Sequence, residues 1–206
     1  VIPILDLIAG ETSDNLSDED ASYKKTKWIF DLMLYLNVPI VFGLLYFLFT
    51  QIDSYSYKTY ELVGLAISAG ILLATNGLNV AHELGHRKPY FERLLSKILY
   101  IPCFYMHFYI EHNFGHHLNV GTPEDGATAR YKQTLYSFWL TSVTKQYLSA
   151  WKIQLQLLRR NRQSILSIKN DMLWYHLIIP LYLLGVYGLF SFPVLLFAAA
   201  IGVIAF

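Results

Sequence analysis

The chain has 206 residues, of which 54% are hydrophobic and 16% aromatic but only 15% charged, with a mean hydropathy of +0.35. A solvated globular surface needs about a quarter of its residues charged, so this composition points to an integral membrane protein. A net charge of +1 provides no global field for nucleic acid, and the single Cys103 excludes an internal disulfide.

Residues 1–9 form a short apolar piece. Asp14, Asp18, Glu19 and Asp20, among serines, read as a solvated loop, and Lys24, Lys25 and Lys27 stand just before the first long apolar run. That run, residues 28–50, is long enough to cross a bilayer, which takes roughly 20 helical residues. Pro39 is expected to kink it, and Asp31 lies near its basic end. A polar connector with Tyr55, Tyr57 and Tyr60 follows, tyrosines being favoured at the membrane interface. Residues 61–81 form the second crossing, rich in Gly, Ala and Ser that let helices approach, and continue without a break signal into His82.

Basic residues flank this hairpin on one side, at Lys24–Lys27 and again from Arg87 to Lys97, so the positive-inside rule places that side in the cytoplasm. Residues 94–110 are apolar enough to suggest a third crossing. A full crossing, however, would put His112 on the far side of the bilayer from His82. The segment is therefore expected to be re-entrant or packed against the bundle, with Pro102 as the break. Residues 118–170 are polar and basic: Thr122-Pro123-Glu124-Asp125-Gly126 is a turn, and residues 131–170 read as amphipathic helix carrying Lys145, Lys152, Arg159, Arg160 and Arg162. Such a face suits anionic headgroups or an acidic redox partner. Residues 172–190 and 193–206 form a second apolar hairpin whose last member is too short to cross, as expected of a chain truncated at both ends. The fold class is all-α: a single membrane-embedded domain, a polytopic helix bundle whose helices extend into the cytoplasm.

Five of the seven histidines fall in two short blocks, His82-Glu83-Leu84-Gly85-His86 and Glu111-His112-Asn113-Phe114-Gly115-His116-His117. Histidines four apart project from one helical face. His82/His86 and His112/His116 have this spacing, and His117 adds an imidazole about 100° further round. Five imidazoles exceed the three protein ligands of a catalytic zinc, so two metals fit better, although imidazole alone does not name the metal. The first block also matches the H-E-x-x-H pattern of zinc metalloproteases, with Glu83 as general base. The second block argues against that class, leaving Glu83 and Glu111 as acceptors for imidazole N–H groups or as minor ligands. His107 reads equally as a partner of the ligands or as a core histidine, and His176 as an interface residue. Asp125 reads as a turn carboxylate accepting backbone N–H groups.

Asn79-Val80-Ala81-His82-Glu83-Leu84-Gly85-His86-Arg87-Lys88, His107-Phe108-Tyr109-Ile110-Glu111-His112-Asn113-Phe114-Gly115-His116-His117 and Thr122-Pro123-Glu124-Asp125 together resemble the integral-membrane alkane 1-monooxygenases of bacteria. Ile2-Pro3-Ile4-Leu5-Asp6 and Arg159-Arg160-Asn161-Arg162-Gln163-Ser164 fit the same family. It belongs to the histidine-box group with the membrane fatty-acid desaturases and hydroxylases and the aryl-methyl monooxygenases. Here the second block is H-x-x-x-H-H, not the desaturases' usual H-x-x-H-H. The resemblance implies a non-haem di-iron enzyme of the bacterial cytoplasmic (inner) membrane, hydroxylating the terminal methyl of linear medium- to long-chain alkanes with O2. Its electrons would come from a rubredoxin served by an NADH-dependent reductase. Carried over by position, the iron ligands are His82, His86, His112, His116 and His117. The family's third histidine block and its first helices fall outside this chain, so the fragment alone is expected to be inactive. Gly126 stands where the family usually has proline.

Overall fold

The computed structural model describes residues 28–205, and every regular element among them is helical. The apolar piece 1–9, the acidic stretch and the Lys24–Lys27 cluster lie outside the described residues. The chain divides into a unit ending at Leu34, of which only the opening of the first helix is described, and a second unit, Tyr35–Phe206, that holds all the packing below.

Helix α1 (Trp28–Ser54) runs 27 residues as one helix through Pro39. At ~1.5 Å per residue it exceeds the ~30 Å hydrocarbon core. Val41, Leu45, Phe49 and Ile52 form its buried stripe, while Leu36, Ile40, Leu44 and Phe47 face outward although equally apolar. Apolar residues on every side are what a lipid-facing helix needs.

The next span, 59–85, is one continuous rod in three parts: α2 (Thr59–Leu72), a π-helical stretch (Leu73–Leu78) and α3 (Asn79–Gly85). A π turn leaves backbone carbonyls poorly bonded, and polar side chains compensate here. Thr75 Oγ1 donates to the Ile71 carbonyl at 2.9 Å, and Asn76 Nδ2 to that of Leu72 at 3.5 Å. The rod ends at His86, and α4 (Tyr90–Leu99) turns back along α3. The close approach is possible because Gly85 has no side chain. A Cβ there would lie 3.1 Å from Ser96 Oγ, which donates to the Ala81 carbonyl at 2.6 Å.

Helix α4 ends at Leu99, ahead of Pro102, and the chain reverses through Phe104, whose φ of 54° lies in the left-handed region. Residues 94–110 are thus split between α4, this turn and α5 (Phe108–Glu111), which runs into a π turn (His112–His116) and α6 (His117–Asn119). The reversal brings His112 back to the end of the rod that carries His82.

Helix α7 (Leu135–Arg160) starts at Thr134, whose hydroxyl accepts the Ser137 N–H, and lies against α5. Ser142, Gln146, Ala150, Gln154 and Leu158 recur every four residues as its buried face, largely polar because it covers polar groups. Gln146, for instance, accepts from the Tyr105 hydroxyl. Helix α8 (Asp171–Leu189) is the third span long and apolar enough to cross, and Lys97 of α4 holds its first turn through Asp171 at 2.6 Å. Helix α9 (Phe192–Ile204) is 13 residues long, about 20 Å, and packs against α2 and α8. Phe104 sits on Gly202 of α9, where a Cβ would come within 2.5 Å of its ring. The Ser191 N–H donates to Asp53 Oδ1 at 2.9 Å, joining the α8–α9 link to the end of α1 that is remote from the histidines.

Candidate metal centre

His82 and His86 project from α3 and its C-cap, four residues apart. Their Nε2 atoms lie 2.9 Å apart. His112 Nε2 reaches to 2.6 Å from that of His82 and 3.2 Å from that of His86. His117 Nε2 joins at 3.1 Å from His112. Ring nitrogens of His82, His86 and His112 all fall within 4.8 Å of one another, the compactness a shared ion requires. Nitrogens around a tetrahedral ion at about 2.1 Å sit about 3.4 Å apart. Four imidazole nitrogens gathered slightly closer than this repel one another where their lone pairs point inward, unless a proton or cation lies among them. The donor set fits a metal.

The π turn explains why His117 takes part. Along an α-helix His117 would stand well off the His112 face, and His116 would be its neighbour. The wider i→i+5 turn over His112–His116 advances less per residue, which brings His117 round to His112. The His116 ring stacks on that of His112 at 5.1 Å. Its Nδ1 faces Asp125 Oδ2 at 3.0 Å. Asp125, only 2% exposed, also accepts from the Ala127 N–H and the Thr128 hydroxyl. Burial alone would raise its pKa, but the Thr128, Ala127 and His116 bonds hold it below the usual carboxylate value. An ionised Asp125 makes His116 Nδ1 the donor, which in a neutral ring leaves the lone pair on Nε2. The turn carboxylate therefore accepts a backbone N–H, as its motif suggests, and also orients an imidazole, which the motif alone does not reveal.

Glu111 is 1% exposed under the second block, with Oε2 lacking a hydrogen-bond partner among the described residues. Burial, then the nearby Asp125, pushes its pKa up to about 7, against the opposing pull of His116 and Ser149. Gly115 makes room for it: a Cβ would lie 2.9 Å from both Glu111 Oε1 and Ile153 Cδ1. Glu83, by contrast, lies at the surface in an ion pair with Arg87 at 3.1 Å. His112 is held down to about pKa 3 by burial and by the imidazoles of His82, His117, His86 and His116, so it is neutral and ready to coordinate at physiological pH.

His107 stands apart from the convergent nitrogens, its ring edge-on to Tyr105 and Tyr147. Burial, with a smaller contribution from His176, lowers its pKa to about 4. His176 is satisfied at both nitrogens: Nδ1 lies 2.6 Å from the Met172 carbonyl and Nε2 2.8 Å from the Tyr147 hydroxyl. Cys103 is buried, its pKa pushed up to about 12 by desolvation, and stays a thiol.

The model of the fatty acid desaturase family matches residues 58–206. An alkane 1-monooxygenase from Pseudomonas putida is 37% identical over 175 residues, covering 84% of this chain and 43% of that protein. Alkane 1-monooxygenase 1 from Alcanivorax borkumensis is 34% identical over the same shares. The hydroxylase component of a Pseudomonas putida xylene/toluene monooxygenase is 30% identical over 166 residues, 79% of this chain and 45% of that protein. The chain spans less than half the length of each of these relatives.

Proposed function

Since the chain belongs to the fatty acid desaturase family, we propose that its histidine face is part of a non-haem di-iron centre. We further propose that the whole protein is an alkane 1-monooxygenase, oxidising the terminal methyl of linear medium- to long-chain alkanes. The observation that carries this reading is the convergence of His82, His86, His112 and His117, with His116 aimed by Asp125 beside them. The alkane 1-monooxygenases among its relatives favour the substrate.

In this reading His82, His86, His112, His116 and His117 hold the irons. Bound iron would supply dioxygen activation, the overall reaction consuming alkane, O2, two electrons and two protons to give the 1-alkanol and water. The chain's own part is to gather the imidazoles at one place, orient His116 through Asp125, and keep the Glu111 carboxyl buried alongside. An alkane offers nothing to hydrogen-bond, so binding rests on burying methylenes at about 0.8 kcal/mol each, which suits a membrane-embedded site. The histidine end would face the cytoplasm across the bacterial inner membrane. There the cations of α7, Lys145, Lys152, Arg159 and Arg160, with Arg162 just beyond it, would receive an acidic rubredoxin reduced by an NADH-dependent reductase.

Metal analysis of the full-length protein tests the centre. About two irons per chain are expected, and His112→Ala should lose iron together with octane-to-octanol conversion. One zinc without iron would overturn the reading and favour a protease. Against that class stands Glu83, which would have to act at the metal but lies at the surface bound to Arg87. The xylene/toluene relative supports one second reading, oxidation of an aryl methyl group. Comparing octane with p-xylene as substrate separates the two.

A further inference from the structure

A cavity of about 340 Å³ opens between α4, α5 and the C-terminal half of α7, and none of the histidines lines it. Its walls divide by chemistry. Leu94 and Leu157 supply apolar surface, while Arg93, Lys97, Lys169 and Asp171 supply charge. Lys97 is neutralised by Asp171 at 2.6 Å. Arg93 and Lys169 have no ion-pair partner among the described residues, so the cavity holds two uncompensated positive charges beside an aliphatic trough.

The depth of the cavity is marked by Asp171, in the first turn of the membrane-crossing helix α8. This is where hydrocarbon gives way to headgroups. Trp174, one turn further on, donates its indole N–H to the Ile168 carbonyl at 2.7 Å, an aromatic at the interface level. The adjoining α7–α8 segment exposes Leu166 (83%) and Ile168 (80%). Exposed aliphatic side chains at the end of a membrane helix suit insertion at the level of the lipid headgroups.

We propose that this cavity binds an anionic phospholipid, its phosphate at the Arg93 and Lys169 rim and an acyl chain along Leu94 and Leu157. The site is separate from the imidazoles and does not depend on the reaction they carry. Charge selects the anionic headgroup, and the apolar wall selects a lipid over a free anion.

The test uses the full-length protein in nanodiscs of phosphatidylcholine doped with phosphatidylglycerol, with retained lipid read by native mass spectrometry. Wild type should keep phosphatidylglycerol in preference to phosphatidylcholine. R93Q/K169Q should lose roughly thirtyfold in apparent affinity, from two near-surface charges, and R93K/K169R should keep most of it. If the double variant does not fold, R93Q and K169Q singly decide, each with an expected loss of roughly fivefold. Equal retention by wild type and the glutamine variants would overturn the proposal. So would equal retention of phosphatidylcholine, or displacement of the lipid by millimolar inorganic phosphate.

Discussion

Asp125 illustrates how much one side chain contributes to the centre without touching the convergent nitrogens. It is buried, ionised and bonded to His116 Nδ1. Carboxylates that orient metal-binding imidazoles are worth about 10–100-fold in metal affinity or activity. Asp125→Ala should therefore lower metal retention in that range while leaving the helical circular dichroism unchanged. His107 acts through stability. Its pKa falls from 6.5 in the unfolded chain to about 4 when folded. Between these values the unfolded chain binds a proton that the folded chain does not, so stability drops as pH falls through this window, by up to about 3 kcal/mol. Thermal unfolding in detergent should show the wild type losing more on going from pH 7.5 to 5 than His107→Phe does. Equal losses would place the acid sensitivity elsewhere.

At the scale of elements, the π turn over His112–His116 is the local feature on which the centre depends. H-x-x-x-H-H holds one residue more than the H-x-x-H-H of the desaturases, and the π turn absorbs it, keeping His117 on the His112 face as an α-helix would with the shorter block. Deleting Phe114, an exposed residue of this turn, should let it close as α-helix and retain most of the bound metal. An alanine inserted after Phe114 should swing His116 and His117 by roughly 100° and release it. Equal metal loss in the two variants would show that the turn is not what aligns the rings.

At the scale of the whole molecule, the described unit has two ends. The histidines and the α7–α8 segment lie at one, and the α1–α2 connector and the Asp53–Ser191 bond lie at the other. With membrane between them, Ser164→Cys and Ser56→Cys should react with an impermeant maleimide from opposite sides of sealed vesicles. Cys103, buried with its pKa raised to about 12, should stay silent. Labelling from the same side would contradict the assignment of the apolar helices as spans.

The amino-acid sequence by itself determined the helical membrane class, because lipid admits long apolar runs only as helices or closed barrels. It also singled out the histidine blocks, since five imidazoles in two short stretches stand out against an apolar background. What it left open depends on contacts between segments far apart in the chain. Residues 94–110 are largely apolar with Pro102 as their one break signal, and the packing of Ser96 on Gly85 and of Phe104 on Gly202 fixes how they fold back. Likewise Glu83 and Glu111 stand in equivalent places next to histidines, yet one pairs with Arg87 at the surface and the other lies buried beneath α7. The π turn and the Asp125–His116 bond belong to the same class. Backbone phase and the fold of the 118–134 connector decide which nitrogens meet, and neither is written in the residue types alone.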